Sequence, residues 1–239
     1  MWGSLLAFVV ILGVGGGWYL IRRRKLLGLF QVTKDHGITI FLSRLQIVIG
    51  GAVDFNGQPR TFSGATVTAN EASAAAAFGS IFEYLIPGLE SQPGLLKTLF
   101  TRDINVTLAP SPRQIAEIPT DHTIVAVGSP GYNCVSLWIQ QSLNPLITFD
   151  ANNTSLQPHG QAPVIDPTQG MVQVLWDANN QRRVFYVGGI SEAGTIAALM
   201  YLATNWRELR QNLGRRDTYA GLVRIQNGRS VLLSTIHAN

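Results

Sequence analysis

Thr123–Ser142, TIVAVGSPGYNCVSLWIQQS, decides how the rest of the chain is read. Thr123 to Val127 is β-branched except at Ala126, a composition that suits a buried strand. Gly128 ends the run, and a helix is expected from Tyr132 to Ser142. The same order recurs downstream. A strand over Arg183–Val187 leads into Gly189-Ile-Ser-Glu-Ala-Gly194, then a long helix over Ser191–Leu213 with Gly214 as its stop. Strand, glycine turn and helix in repeated order point to an α/β layered domain.

Outward from these two units the pattern continues. Arg44–Ile49 (RLQIVI) reads as the first buried strand, ending in Gly50-Gly51. Gln58–Thr68 reads as a loop, Asn70–Ile86 as an alanine-rich helix stopped by Pro87-Gly88, and Leu95–Thr101 as a short helix. Ile104–Leu108 alternates like a strand, and Ala109–Pro119 and the polar Ala151–Gly170 read as loops. Met171–Trp176 is expected to pair with Arg183–Val187 around a turn at Asn179-Asn180. Tyr219–Ile225 and Ser230–Thr235 flank Asn227-Gly228, a favoured two-residue hairpin turn. The expected fold class is α/β: a Rossmann-like layered domain with a mainly parallel sheet and an antiparallel edge.

Three expected strand ends share one pattern. Gly51-Ala-Val-Asp-Phe-Asn56, Gly128-Ser-Pro-Gly-Tyr-Asn133 and Gly189-Ile-Ser-Glu-Ala-Gly194 each start with Gly and carry Asn or Gly five positions on. In a parallel sheet such turns gather at the carboxyl edge, where ligands bind at a switch in strand order. Helix N-termini there offer N–H groups to anions. The candidate ligand-binding residues are therefore Gly50, Gly51, Asn56, Gly128, Ser129, Asn133, Gly189, Ser191, Glu192, Gly194 and Thr195. Plain turn chemistry accounts for the same Gly and Asn without a ligand. None of the three turns matches a dinucleotide fingerprint or a P-loop.

VGSPGYN (Val127–Asn133), YVGGISEAGTIAALMYLATNWREL (Tyr186–Leu209) and RLQIVIGG (Arg44–Gly51) resemble a group of uncharacterised bacterial proteins. In that group a Gly-[Ser/Gly]-Pro-x-x-Asn loop precedes a Gly-[Ile/Leu]-Ser-x-x-Gly-Thr loop and a C-terminal hairpin. The resemblance covers most of Arg44–Thr235. It implies a Rossmann-like module and the position of a site, and no chemistry.

Catalytic candidates are few. His36, His122, His159 and His237 show no metal-ligand spacing, and each suits a core or surface role. Cys134, the only cysteine, could be a nucleophile beside Asn133, although a buried inert thiol is more usual. Ser129 lacks a nucleophile-elbow context. Glu192 and Asp54 could pair as carboxylates at one cleft, or serve only as helix-dipole partners. Trp138, Trp176 and Trp206 suit packing.

At the N-terminus, Met1–Ile21 contains no charged residue, and Leu5–Ile21 reads LLAFVVILGVGGGWYLI. Some 20 helical residues cross a hydrocarbon layer about 30 Å thick. Trp2 at one end and Trp18 and Tyr19 at the other suit the headgroup regions. Arg22–Lys25 follow at once, which predicts a single-pass membrane protein with its C-terminal domain cytoplasmic. Gly13 and Gly17 form a Gly-x-x-x-Gly pair, a spacing that lets two helices approach or that lipid simply tolerates. The expected organisation is an anchor with basic flank over 1–25, a connector over 26–37 and the α/β domain over 38–239.

Of the 18 Lys and Arg, four stand at Arg22–Lys25, and the remainder equals the 14 Asp and Glu. The basic balance therefore belongs to the membrane boundary, which excludes a nucleic-acid surface. Expected partners are the lipid bilayer, a small anionic ligand and a membrane-protein partner. No cofactor is specified. These features predict a membrane-tethered binding module for a small anionic or nucleotide-like ligand or a protein partner. The alternatives are a scaffold or assembly subunit of a membrane complex, and a nucleotide-type hydrolase or transferase using Glu192, Asp54 or Cys134.

Overall fold

The computed structural model describes residues 21–33, 35–53, 59–66, 68–85, 104–110, 115, 118–214 and 218–236. The expected span up to residue 20 lies outside them. Among the described residues no helix is long and apolar enough to cross a membrane.

The chain enters through helix α1, residues 21–29. Strand β1 (Gly37–Leu42) is buried along its whole length. A hairpin, β2 (Leu45–Val53) and β3 (Pro59–Thr66), follows, then α2 (Ala69–Leu85) and β4 (Ile104–Leu108). Next come β5 (His122–Val127), α3 (Cys134–Ser142) and two short strands, β6 (Ile147–Phe149) and β7 (Leu156–Pro158). The long pair β8 (Gln169–Asp177) and β9 (Arg182–Gly189) precedes α4 (Glu192–Thr204) and α5 (Trp206–Leu213). The hairpin β10 (Tyr219–Gln226) and β11 (Arg229–Ile236) closes the described chain.

The main sheet has seven strands in the order β11-β10-β8-β9-β5-β1-β4. Strands β4, β1, β5 and β9 are mutually parallel, whereas β8, β10 and β11 pair antiparallel. The fold is thus mixed α/β, with a parallel half and an antiparallel edge. Asn227 (φ 50°) and Gly228 (φ 73°) make the tight turn their types favour.

The sheet separates two apolar layers by the two-residue alternation of its strands. Ile38, Ile40, Val125, Val127, Phe185 and Val187 face one layer, with Leu26, Phe30, Phe78, Leu202 and Trp206. Phe41, Ile124, Ala126, Val184 and Tyr186 face the other, with Val135, Ile139, Phe149 and Leu156. Gln173 on β8 is fully buried, and its amide bonds both Ile147 N (2.9 Å) and Ile147 O (2.7 Å), fastening β6 to the sheet.

Four expectations change. The first parallel strand is β1, not Arg44–Ile49, of which Leu45–Ile49 instead belongs to β2. That run finds its partner nearby, in the Pro59–Thr66 segment expected as a loop, and forms a separate two-stranded sheet. Residues 26–32, expected as connector, place Leu26, Leu29, Phe30 and Val32 in the core. The helix expected over Ser191–Leu213 breaks at Asn205 (φ −110°, ψ 21°), whose Nδ2 donates to Ser230 O at 2.9 Å. The break lets α4, apolar on all sides, stay under the sheet while amphipathic α5 turns along the surface.

Candidate functional site

The strand order switches at β1. The chain leaves it for β4 on one side, and β5 lies on the other. The carboxyl ends of β1, β5 and β9 therefore meet at one edge, where α/β sheets take ligands. Ser43, just past β1, joins the pieces. Its N–H donates to Glu71 Oε1 at 2.8 Å and its hydroxyl to Val127 O at 3.3 Å. Gly128 (φ +99°) lies against that hydroxyl, and a Cβ there would overlap Ser43 Oγ. Gly128 N in turn donates to Val187 O at 2.9 Å.

Glu71 was not among the expected site residues, yet it is the buried carboxylate of this edge, 5% exposed. It sits in the first turn of α2, where a helix N-terminus favours an acid. Thr68 Oγ1 accepts from Glu71 N at 3.2 Å, so Thr68-Ala69-Asn70-Glu71 has the sequence of a capping box. The carboxylate reaches away to Ser43, the only source of its hydrogen bonds among the described residues. Burial raises its pKa above the usual carboxylate value, and the charge of Glu192 adds to the rise.

The expected residues separate into two groups. Gly128, Ser129, Asn133, Ser191, Glu192, Gly194 and Thr195 lie in the turns after β5 and β9 or in the first turn of the following helix, and Gly189 is the last residue of β9 itself, paired with Gly170. Gly50 and Gly51 do not. They stand inside β2, at the register shift between Ile49 and Ala52, because that strand runs on into a hairpin instead of ending. Asn56 and Asp54 lie outside the described residues.

Most polar groups of the two turns serve the fold itself. Asn133, 1% exposed, caps α3: its Oδ1 accepts from Val135 N (2.9 Å) and Ser136 N (3.3 Å). Its Nδ2 donates to Phe41 O (2.9 Å) and Val127 O (2.7 Å), so one side chain ties the helix to β1 and β5. Ser191 Oγ caps Gly194 N at 3.3 Å and donates to Pro167 O at 2.5 Å. Thr195 Oγ1 donates back to Ser191 O at 3.0 Å. Gly194 allows close packing: a Cβ there would overlap Gln169 O on β8, and one at Gly189 would press on Gly194 itself. Of the N–H groups expected to greet an anion, those of Val135, Ser136 and Gly194 are thus met by the chain's own capping side chains. Ser129 is the exception. The residue is 7% exposed, and its hydroxyl, which reaches solvent, makes no hydrogen bond among the described residues.

Cys134 is a poor nucleophile here. Its Sγ donates to Pro110 O at 2.7 Å, and burial raises its pKa. His36 Nε2 lies 3.2 Å from Thr123 Oγ1, and His122 Nδ1 lies 2.7 Å from Thr39 Oγ1, both toward the opposite, amino edge. Burial lowers the His36 pKa, and neighbouring His122 lowers it further. His159 is exposed, His237 lies outside the described residues, and Trp206 is core. Among the described residues no three His, Cys, Asp or Glu stand together as metal ligands.

Arg182 shows no signal in the sequence. It is among the largest fully buried side chains and pairs with Asp177 at 3.0 Å. It also donates to the carbonyls of Pro119 and His122 and lies 5.9 Å from the Trp138 ring centroid. These bonds satisfy the buried charge, which makes the cluster a lock on the β8–β9 turn.

No protein-family model matches the chain, and no curated protein or solved structure matches it.

Proposed function

We propose that the chain is a membrane-tethered binding module whose small ligand sits at the carboxyl edge of β1, β5 and β9. One observation carries this: a buried carboxylate, Glu71, at the switch point, with a raised pKa and partners from Ser43 alone among the described residues. Buried, perturbed acids in a sheet-edge crevice are where function concentrates. The chemistry of the edge revises the ligand. Glu71 and Glu192 repel anions, and the helix caps have taken up N–H groups that would have bound phosphate. The edge suits hydroxyl or amine donors, such as the sugar or base portion of a nucleoside-like molecule, with Ser129 as a further partner.

A scaffold role is the second reading. It is favoured by Asn133, Ser191 and Thr195 spending their polar groups on the fold. A thermal-shift screen of the full chain in mild detergent decides between them. Nucleosides, sugars and amines form one set, and inorganic phosphate and sugar phosphates another. Binding predicts a shift with a member of the first set that Glu71→Gln abolishes without lowering the unliganded melting temperature. No shift with any compound, or equal shifts in Glu71→Gln, leaves the scaffold reading standing.

A further inference from the structure

Helix α1 carries the basic boundary of the expected anchor, Arg22–Lys25, in its first turns, and its second half is attached closely to the domain. Leu26, Leu29 and Phe30 are buried, and Phe30 stacks on Phe185 with ring centroids 4.4 Å apart. The helix ends in a Schellman pattern: Val32 N donates to Leu27 O (2.9 Å) and Gln31 N to Gly28 O (3.4 Å). Gln31 takes the left-handed position, φ 52°, where glycine is the usual residue. A side chain there has a use. Gln31 Oε1 accepts from Arg183 N at 2.5 Å, while Arg183 Nη1 donates to Gly28 O (3.1 Å) and Leu29 O (2.9 Å). A cation at a helix C-terminus is also favoured by the dipole. Thr123 Oγ1 adds a bond to Phe30 O at 2.7 Å. A flexible tether would be polar, exposed and free of such bonds.

We propose that residues 21–33 form a rigid collar that holds the domain at a fixed attitude against anionic lipid headgroups. The proposal rests on the expected span crossing the membrane. Lys25 and Phe30 are five helical residues apart, about 8 Å along the axis, so the core begins close to the headgroups. Arg24 and Lys25 are exposed on α1 and are the groups that meet them. Basic residues near such a surface gain roughly 1 kcal/mol each.

The test uses the full chain in phosphatidylglycerol nanodiscs, with a dye on Asn227→Cys at the exposed hairpin turn. Cys134 is buried and leaves the labelling specific. Time-resolved anisotropy should show the domain turning only with the disc. Gln31→Gly keeps the helix end, because glycine suits the left-handed position, and removes only the bond to Arg183. Combined with Arg183→Gln it should add a fast component with little change in melting temperature. A fast component in the parent overturns the collar. Energy transfer from the dye to headgroup acceptors should fall in Arg24→Gln/Lys25→Gln, and in phosphatidylcholine discs. Equal transfer in all three refutes the headgroup contact. A chain that fails to co-purify with discs refutes the anchor instead.

Discussion

Asn133→Ala and Asn133→Asp together test whether this residue is a helix cap or a clamp between helix and sheet. Loss of the cap on α3 costs roughly 1 kcal/mol. The carbonyl of Phe41 also loses a donor in a buried setting, at about 1 kcal/mol by the lower measure of unsatisfied groups, whereas Val127 O keeps the Ser43 hydroxyl at 3.3 Å. Asn133→Ala should therefore destabilise by about 2 kcal/mol. For a domain of this size each kcal/mol lowers the melting temperature by roughly 2–4 °C, so the expected fall is roughly 4–8 °C. The aspartate variant separates the two roles. At an ordinary cap Asp equals Asn. Here it would put an oxygen where Nδ2 lies 2.9 and 2.7 Å from two carbonyl oxygens, on a residue 1% exposed. Its melting temperature should fall at least as far as that of the alanine variant. Circular dichroism melts of the full chain in mild detergent measure both. An aspartate variant within about 2 °C of the parent would refute the clamp.

Four more outcomes are expected. A raised folded-state pKa at Glu71 means the folded protein holds its proton more tightly than the unfolded chain, so stability falls as pH rises through that pKa. Glu71→Gln should gain on the parent from acid toward neutral pH, and a constant difference in melting temperature across that range counts against it. Gly194→Ala drives a methyl into the Gln169 carbonyl and should cost roughly 1–3 kcal/mol by denaturant titration, whether or not a ligand binds. A chain starting at residue 21 should unfold cooperatively, whereas one starting at residue 31 loses Leu26, Leu29 and Phe30. Phe30→Ala alone should cost about 3–5 kcal/mol, and an unchanged melt would show that α1 is dispensable. A reporter fused after Asn239 should be active in the cytoplasm, with its orientation scrambled when Arg22–Lys25 become Gln; activity only outside reverses the topology.

Much of the domain was legible one segment at a time. Thr123–Ser142 and the Arg183–Gly194 unit announced strand, turn and helix through local chemistry: β-branched runs, glycine, and Ser191 where a cap belongs. The first helix nevertheless starts at Cys134, with Asn133 as its cap, and not at the expected Tyr132. Asn227-Gly228 announced its hairpin for the same reason. Glu71 was half legible. The Thr-x-x-Glu spacing marks a helix start, but nothing local says that the carboxylate will turn from its own helix to Ser43, whose backbone arrives from β1.

The sequence by itself determined the elements whose signals are local, namely the strand, turn and helix around Gly128, the unit around Gly189, and the Asn227-Gly228 hairpin, because dihedral preference and periodicity belong to consecutive residues. It marked neither Gly37–Leu42 nor Pro59–Thr66 as a strand, nor residues 26–29 as helix. Only the tertiary structure decided who pairs with whom. Arg44–Ile49 had the composition of a central strand, yet it closed on the nearby Pro59–Thr66, leaving the central place to Gly37–Leu42. Glycines 189 and 194 looked like openings for a ligand and proved to be contact points between α4 and the β8–β9 pair. Arg182 carried no signal in the sequence and is a buried lock, because Asp177, Pro119 and His122 converge on it from separate parts of the chain. Partner choice depends on distances through space between residues far apart in order, and no window of neighbouring residues contains those distances.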